Sequence, residues 1–247
     1  MRPALSNFAH RLAYHLRVFI LLVWLKPERP LSMVRYGTKY GGWWIPEILP
    51  EGDLAVCAGA GMDISFDLEL AARGLRVVTV DPTPSAVEYV KRTAPEIELV
   101  DVGLWDTDGV LRFQQDTVWS ESWFPEEIPT GSGGGQVVEF QVLRLKTLLE
   151  RLGDTNPVIV KLDIEGAEER VVPDMLRDGI TPPVLCVEFD GRTIRRTREL
   201  VRSILKAGYV LWQIEDWNYT FVQRERIPTN VALDTVRSDI TKRVHQH

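Results

Sequence analysis

The sequence predicts an α/β fold: an open, doubly wound, mostly parallel sheet with an antiparallel hairpin at one edge. Three observations carry this expectation. From Asp53 onward, short apolar runs alternate with amphipathic stretches in a strand–turn–helix rhythm, which implies parallel strands joined by right-handed crossovers. The chain has 247 residues, a length that suits one large domain. The last two apolar runs, Tyr209–Ile214 and Tyr219–Gln223, are separated only by a tight turn around Asp216–Asn218, so they must run antiparallel.

The elements follow in order. Phe8, Leu12, Leu16, Phe19, Ile20 and Val23 recur at helical spacing, which predicts a helix over about 5–25 that Pro27 and Pro30 stop. Residues 34–50 are an aromatic, turn-rich approach segment with Trp43 and Trp44. Leu54–Ala58 is the first strand, Gly59–Asp63 a turn and Ile64–Arg73 a helix ended by Gly74. Leu75–Val80 is the second strand, Ser85–Thr93 a helix and Ile97–Leu104 the third strand. Val110–Gln114 and Val137–Leu143 read as two arms of a hairpin. Between them lie Trp119, Trp123, Phe124 and a glycine-rich run at 131–135 that suits a lid hinge or a plain loop. Lys146–Leu152 is a short helix, Val158–Leu162 the fourth strand and Glu168–Arg177 a helix. Val184–Phe189 is the fifth strand and Thr193–Ala207 a long helix before the terminal pair. The organisation expected is 1–50 as N-terminal helix and approach segment, 51–227 as the main domain and 228–247 as a C-terminal tail, with no internal repeat.

Composition narrows the partners. With 45% apolar and 26% charged residues this is an ordinary globular chain. A net charge of −6 argues against a nucleic-acid partner, which calls for a basic stripe. Cys57 and Cys186 fall on the first and fifth strands, with another strand between them at about 9–10 Å, too far for a disulfide. Two buried thiols suit a reducing, cytoplasmic setting. No acid precedes Glu28, and Val18–Leu25 is unbroken apolar sequence, well short of the roughly 20 residues a membrane span needs. A basic amphipathic helix at 5–25 suits peripheral contact with a membrane surface. It equally suits packing on the domain or on a second subunit of a homo-oligomer, the commoner use of an apolar helix face.

The turn Gly59-Ala60-Gly61-Met62-Asp63 leaves a buried strand and opens a helix, where glycine lets a ligand approach the main chain. A dinucleotide fingerprint needs a third glycine where Ile64 stands. Asp81, about twenty residues on at the end of the second strand, is placed to accept ribose hydroxyls. Together with Pro82, and with Asp101 and Val102 near the end of the third strand for the adenine, these residues form a candidate site for a nucleoside cofactor without a pyrophosphate. S-adenosylmethionine is such a molecule.

A doubly wound sheet with that edge hairpin is the class I methyltransferase, Rossmann-like, arrangement. The stretch Val158-Ile159-Val160-Lys161-Leu162-Asp163-Ile164-Glu165-Gly166-Ala167-Glu168 resembles the signature of the FkbM family of S-adenosylmethionine-dependent methyltransferases. Val102-Gly103-Leu104-Trp105-Asp106-Thr107-Asp108-Gly109 is similar to that family's third strand and following turn. With the cofactor turn and Asp81-Pro82, the resemblance covers about residues 53–190. Many members carry Gly-Ala-Asn at the turn; the Asp63-Ile64-Ser65-Phe66-Asp67 of this chain is closer to a subgroup. The resemblance implies O-methylation of a hydroxyl on a sugar, glycolipid or polyketide-type acceptor.

An alcohol is a poor nucleophile, so its proton must be removed or its oxygen placed on a metal. The four histidines, His10, His15, His245 and His247, all lie near the termini, which leaves carboxylates for this work. Lys161, Asp163 and Glu165 alternate with apolar residues, so at strand period two all three charges face one side at the ligand-binding edge. Glu188 and Asp190 end the neighbouring strand there. The expected catalytic set is Asp163, Glu165, Lys161 and Glu188, and several carboxylates also suit a divalent cation, magnesium or manganese. The competing structural reading is a salt-bridge cluster, with Lys161 neutralising an acid and Glu165 or Glu168 capping the helix. Trp43, Trp44, Trp119 and Trp123 are candidates for an acceptor platform, with core packing the alternative for each. A catalytically silent cofactor-binding or membrane-associated scaffold of the same fold is the competing function. A nicotinamide-dependent oxidoreductase is disfavoured by Ile64 and by the terminal hairpin.

Overall fold

The computed structural model describes residues 27, 32–49, 51–116, 123–127, 135–189 and 193–226. The helix expected at 5–25, Trp119, residues 131–134, Asp190, the tail 228–247 and all four histidines lie outside them. Along the chain come β1 (Met33–Tyr36) and β2 (Trp43–Pro46), then β3 (Leu54–Ala58), α1 (Ser65–Ala72), β4 (Arg76–Val80), α2 (Pro84–Thr93) and β5 (Glu98–Val100). Next are β6 (Gly103–Leu104), β7 (Gly109–Gln115), β8 (Trp123–Pro125), β9 (Val137–Leu143) and α3 (Leu145–Leu152). The chain continues through β10 (Ile159–Leu162), α4 (Glu168–Arg177), β11 (Val184–Glu188), α5 (Ile194–Lys206), β12 (Tyr209–Glu215) and β13 (Asn218–Gln223). Among the described residues no helix is long and apolar enough to cross a membrane.

Seven strands form one sheet in the order β12-β13-β11-β10-β3-β4-β5. Strands β11, β10, β3, β4 and β5 are parallel, and β13 runs antiparallel between β11 and β12. This is the class I methyltransferase order that the alternating elements and the terminal hairpin predict. Strands β3 and β10 are buried at every residue, as expected for parallel strands covered on both faces. Two clusters result. Leu54, Val56, Val160 and Leu185 pack with α3, α4 and α5 on one face, while Ala55, Ile159 and Val184 meet Phe66 and Leu70 of α1 and Val90 of α2 on the other. Strand β10 separates Cys57 from Cys186, and both thiols are free and buried. Burial pushes the Cys57 thiol well above its usual range and Cys186 up to about 12, so neither is a nucleophile.

The third strand departs from expectation. It breaks after Val100, and Gly103–Leu104 leaves the main sheet to pair with β9. The Asp81 amide makes the last bond of the β4–β5 ladder, to the Val100 carbonyl at 3.2 Å. The released segment seeds a second sheet, β6-β9-β7-β8, in which the predicted hairpin arms pair as β7 and β9.

The aromatic approach segment is a two-stranded ribbon, β1–β2, whose Tyr36, Trp43 and Ile45 are buried in the same cluster as α1 and α2. Trp43 is thus core, and Trp44 contributes its carbonyl to the Thr220 hydroxyl at 2.6 Å. Arg35 anchors the ribbon. Its guanidinium reaches Glu215 (3.0 Å) and the carbonyls of Gly37 (3.1 Å), Thr38, Lys39 (3.0 Å) and Gly42 (3.4 Å), which fixes the 37–42 turn. Because Ile45 is fully buried, Ile45→Ala should cost about 2–4 kcal/mol in urea unfolding. A ribbon merely resting on the surface would lose no more than about 0.5 kcal/mol.

Candidate functional site

The turn after β3 is built by two glycines and two acids. Gly59 and Gly61 have φ of +87° and +48°, in the left-handed region. Gly59 also lies against the neighbouring strand end: a β-carbon there would stand 1.7 Å from the Asp163 carbonyl oxygen. At Gly61 a β-carbon would meet nothing within 4 Å, so the backbone there faces open space. Asp81, at the end of β4, holds this turn. One of its oxygens accepts from the amides of Ala60 (2.9 Å) and Gly61 (3.2 Å). The other accepts from the amide (2.8 Å) and hydroxyl (2.6 Å) of Thr83.

Asp63 works in the same way from the other side. Its carboxylate accepts from the Thr38 hydroxyl, the Gly41 amide (3.2 Å) and the Ser65 amide (2.9 Å), tying the ribbon turn to the start of α1. Burial raises its pKa, but the hydrogen bonds from Ser65, Thr38 and Gly41 outweigh this and hold the carboxyl below the usual range. Ile64 is buried where a dinucleotide loop would carry its third glycine.

The acids after β10 are arranged differently from the sequence expectation. Lys161 and Asp163 do share a side, with Nζ 3.2 Å from Oδ2. The alternation stops there, because β10 ends at Leu162 and a turn begins in which the Ala167 amide reaches the Ile164 carbonyl (3.1 Å). Glu165 therefore sits in that turn with φ of 52°, a conformation uncommon for a side-chain-bearing residue. Glu168 does not cap the helix but braces the turn before it, accepting from the Ile164 amide at 2.7 Å. Lys161 is buried, and Nζ also donates to the Gly59 carbonyl. Burial lowers its pKa, but Asp163 and Asp67 more than compensate, so it is held charged above its ordinary value. Burial pushes Asp163 up, and the Lys161 ammonium together with a hydrogen bond from Glu188 brings its carboxyl below the usual carboxylate range.

These groups share one cavity of about 710 Å³ at the C-terminal edge of the sheet, a size suited to a nucleoside ligand. Gly59, Ala60, Gly61, Asp63, Asp81, Pro82 and Val102 of the expected cofactor set line it, as do Lys161, Asp163, Glu165 and Glu188 of the expected catalytic set. Asp101 does not; it is exposed where β5 gives way to β6. Trp123 and Phe124 of β8 and Phe113 of β7 form an aromatic wall, braced by Phe140 at 5.6 Å from Trp123 and 5.2 Å from Phe113. Sequence reasoning missed Tyr40, Asn218 and Thr83. Asn218 pairs in register with Glu188, so the antiparallel hairpin was its signal; Tyr40 arrives from the ribbon and left none. Among the described residues no group of three or more His, Cys, Asp or Glu is placed to hold a metal ion. A second cavity of about 360 Å³ lies at the opposite sheet edge, lined by residues such as Lys146, Asn156 and Arg226, away from all of this chemistry.

The model of the methyltransferase FkbM domain matches residues 58–221, more than half of the chain and all of the main sheet except the first four residues of β3 and the last two of β13. The chain belongs to the FkbM methyltransferase family. It is therefore a member of an S-adenosylmethionine-dependent methyltransferase family. No curated protein matches its sequence. Among solved structures, it is similar to a TehB-like SAM-dependent methyltransferase from Corynebacterium glutamicum, at 14% identity over 70% of this chain and 82% of that one, with a TM-score of 0.37. It is also similar to a putative caffeoyl-CoA O-methyltransferase from Staphylococcus aureus, at 8% identity over 69% and 76%, with a TM-score of 0.41. Such distant likenesses say nothing about substrate.

The turn of this methyltransferase fits its family's cofactor: open backbone at Gly61, an ordered acid at Asp81 and a cavity of nucleoside size. Two tests follow. In thermal melts and calorimetry with S-adenosylhomocysteine, Gly59→Ala should abolish binding or folding, whereas Gly61→Ala should cost only backbone strain, about 1 kcal/mol. Asp81→Ala frees two turn amides and should weaken binding by roughly 1.5–3 kcal/mol. Equal tolerance of alanine at both glycines would contradict the packing of Gly59 on Asp163.

Proposed function

We propose that this FkbM-family protein transfers a methyl group to a hydroxyl oxygen of a sugar, glycolipid or polyketide-type acceptor. The observation that carries this reading is the juxtaposition, in one cavity, of the glycine turn with Asp163, a carboxylate paired to Lys161, and with Glu188. When bound, S-adenosylmethionine supplies an electrophilic methyl carbon on a sulfonium. The residues that would hold it are Gly59, Ala60 and Gly61, through the backbone, with Asp81, Pro82 and Val102 beside them.

The protein's own part is to place and deprotonate the acceptor. With the cofactor bound, the new O–C bond would form as the methyl–sulfur bond breaks, leaving neutral S-adenosylhomocysteine, while the acceptor O–H bond breaks and its proton passes to an Asp163 oxygen. A weakly basic carboxylate suffices, because a hydroxyl that is already acquiring the methyl group becomes a strong acid. The Lys161 ion pair fixes the direction in which the Asp163 lone pairs point, and with them the acceptor oxygen. Glu165, held in its turn, and Asn218 offer further polar contacts for neighbouring hydroxyls. Trp123 and Phe124 offer an apolar face on which a sugar ring or acyl chain can lie, and they exclude water. A cytoplasmic setting goes with this reading, supported by the two free buried thiols. Membrane contact through residues 5–25, a homo-oligomeric state and a magnesium or manganese ion are proposals that rest on sequence alone.

The test is methyl transfer from labelled cofactor into fractionated extract or defined hydroxylated acceptors. Asp163→Asn keeps shape but removes the base, so turnover should fall about 10²–10⁴-fold with little change in cofactor affinity. Glu188→Gln keeps a polar group in the cavity without removing the base and should lose far less. A lowered carboxyl pKa keeps Asp163 ionised down to acid pH, so its loss should not limit turnover until below about pH 4. Insensitivity to chelator supports the direct carboxylate; loss restored by magnesium or manganese would move Asp163 to a metal-ligand role. A folded Asp163→Asn enzyme with near-normal turnover would remove both roles. Cofactor binding without transfer to any hydroxylated acceptor would favour a silent scaffold.

A further inference from the structure

A polar seam crosses the otherwise apolar centre of the main sheet. Thr79 on β4, Cys57 on β3, Lys161 on β10, Cys186 on β11 and Thr220 on β13 are register partners in sequence across five adjacent strands. Register partners point to the same face, here the one covered by α1, α2 and the ribbon. One end of the seam is tied to the ribbon through Thr220 and the Trp44 carbonyl. The other end is tied to α1, where the Thr79 hydroxyl donates to Asp67 Oδ2 at 2.6 Å. Asp67 is only 3% exposed, and the Cys57 thiol is hydrogen-bonded to it as well.

Asp67 is costly where it stands. A carboxylate buried on the inner face of a helix could be replaced by an apolar side chain of similar volume with little loss of stability, because buried ion pairs seldom repay their desolvation. It does not cap its own helix, which has no side-chain cap. Burial raises the Asp67 pKa, and the Lys161 ammonium and the Thr79 hydroxyl oppose that rise, so Asp67 answers Lys161 from outside the ligand cavity while Asp163 meets the same ammonium at the cavity. Lysine is a flexible point charge with three donors, and its direction is set by the acids around it. With Asp163 as its sole acid, the ammonium would be drawn out toward the cavity and away from the Gly59 carbonyl that it holds from within.

We infer that Asp67 is a positioning residue of the methyl-transfer site, holding Lys161 so that one buried ammonium ties the Gly59 carbonyl of the cofactor turn to the Asp163 carboxylate. The part that concerns Asp163 rests on the function proposed above; the part that concerns the turn does not. Asp67 touches neither cofactor nor acceptor and acts only through Lys161. The helix that opens behind the cofactor turn thereby reports to the acid on the neighbouring strand.

The experiment is a double-mutant cycle of Asp67→Asn and Lys161→Met, read by calorimetry with S-adenosylhomocysteine, by thermal melting and by labelled methyl transfer. Asp67→Asn is nearly isosteric and should fold, yet bind S-adenosylhomocysteine about fivefold to thirtyfold more weakly. With Lys161→Met already in place, Asp67→Asn should change affinity no further, and it should recover part of the melting temperature that Lys161→Met loses. Additive effects on affinity, or an Asp67→Asn protein that melts earlier but binds normally, would overturn the proposal and leave Asp67 as packing. If Lys161→Met does not fold, Thr79→Val replaces it in the cycle. That variant removes only the hydroxyl on Asp67, so its effect on affinity should be in the same direction and should vanish in the Asp67→Asn background; additivity would again overturn the proposal. Failure of the Asp163 reading is seen separately: an active Asp163→Asn enzyme with coupling intact removes the base but keeps the positioning of the turn, whereas absent coupling with an inactive Asp163→Asn enzyme removes only Asp67.

Discussion

An ammonium group buried in the middle strand of a parallel sheet is the constraint around which this site is arranged. Taking such a charge out of water costs several kcal/mol unless its surroundings answer it. Lys161 is answered by the Gly59 carbonyl, the Asp163 carboxylate and the charge of Asp67. The first of these needs the chain leaving β3 to come up against the chain leaving β10. That approach is so close that no side chain fits at Gly59. The positive φ of Gly59, the open turn at Gly61 and the position of Asp163 are thus connected parts of one arrangement. A change at any of them should be felt at the others.

Around that centre, the acids divide into those that hold the backbone and those that face the cavity with capacity to act. Asp81 spends its oxygens on the amides of Ala60, Gly61 and Thr83, and Asp63 spends its own on the ribbon turn and the start of α1. Both acids line the cavity, yet in this form their work is to give the loops a single shape. Asp163 is different. Its carboxylate is about a third exposed, toward the cavity, and its partners are other ionisable side chains rather than main-chain amides. Preorganised loops and one directed carboxylate are what a reaction needs when most of its demand is alignment in a dry space.

The walls come from outside the central sheet. The break in the third strand after Val100 sends the chain into the second sheet, which carries Phe113, Trp123 and Phe124 to the cavity. The ribbon, which precedes the matched family domain, brings Tyr40 and Gly41 to the same space. On the proposed function, acceptor selectivity would fall to these peripheral elements, while Lys161, Gly59 and Asp163 form the centre.

The sequence by itself determined the architecture. Short, largely apolar runs that alternate with helical stretches point to strands buried on both faces, and a tight turn between the last two leaves no room for a crossover helix, so the class I order followed. It also pointed to the strand ends that line the cavity, since Gly59, Asp81, Asp163 and Glu188 all close such runs. Tertiary structure alone decided what those residues touch. Strand period two put Glu165 beside Lys161 and Asp163, but the strand stops at Leu162 and the turn claims Glu165. Asp101 looked like Asp81 in position, yet the strand ends at Val100 and leaves it exposed. Trp43 and Trp123 are alike in sequence, but one fills the core beneath the ribbon and the other faces the cavity. No periodicity of its helix marks Asp67 as buried, and only the register of five strands reveals the lysine that it faces. Periodicity is a local property set by backbone geometry, whereas the partner of a buried polar group is set by which distant segments the sheet brings alongside, and no spacing within one element encodes that.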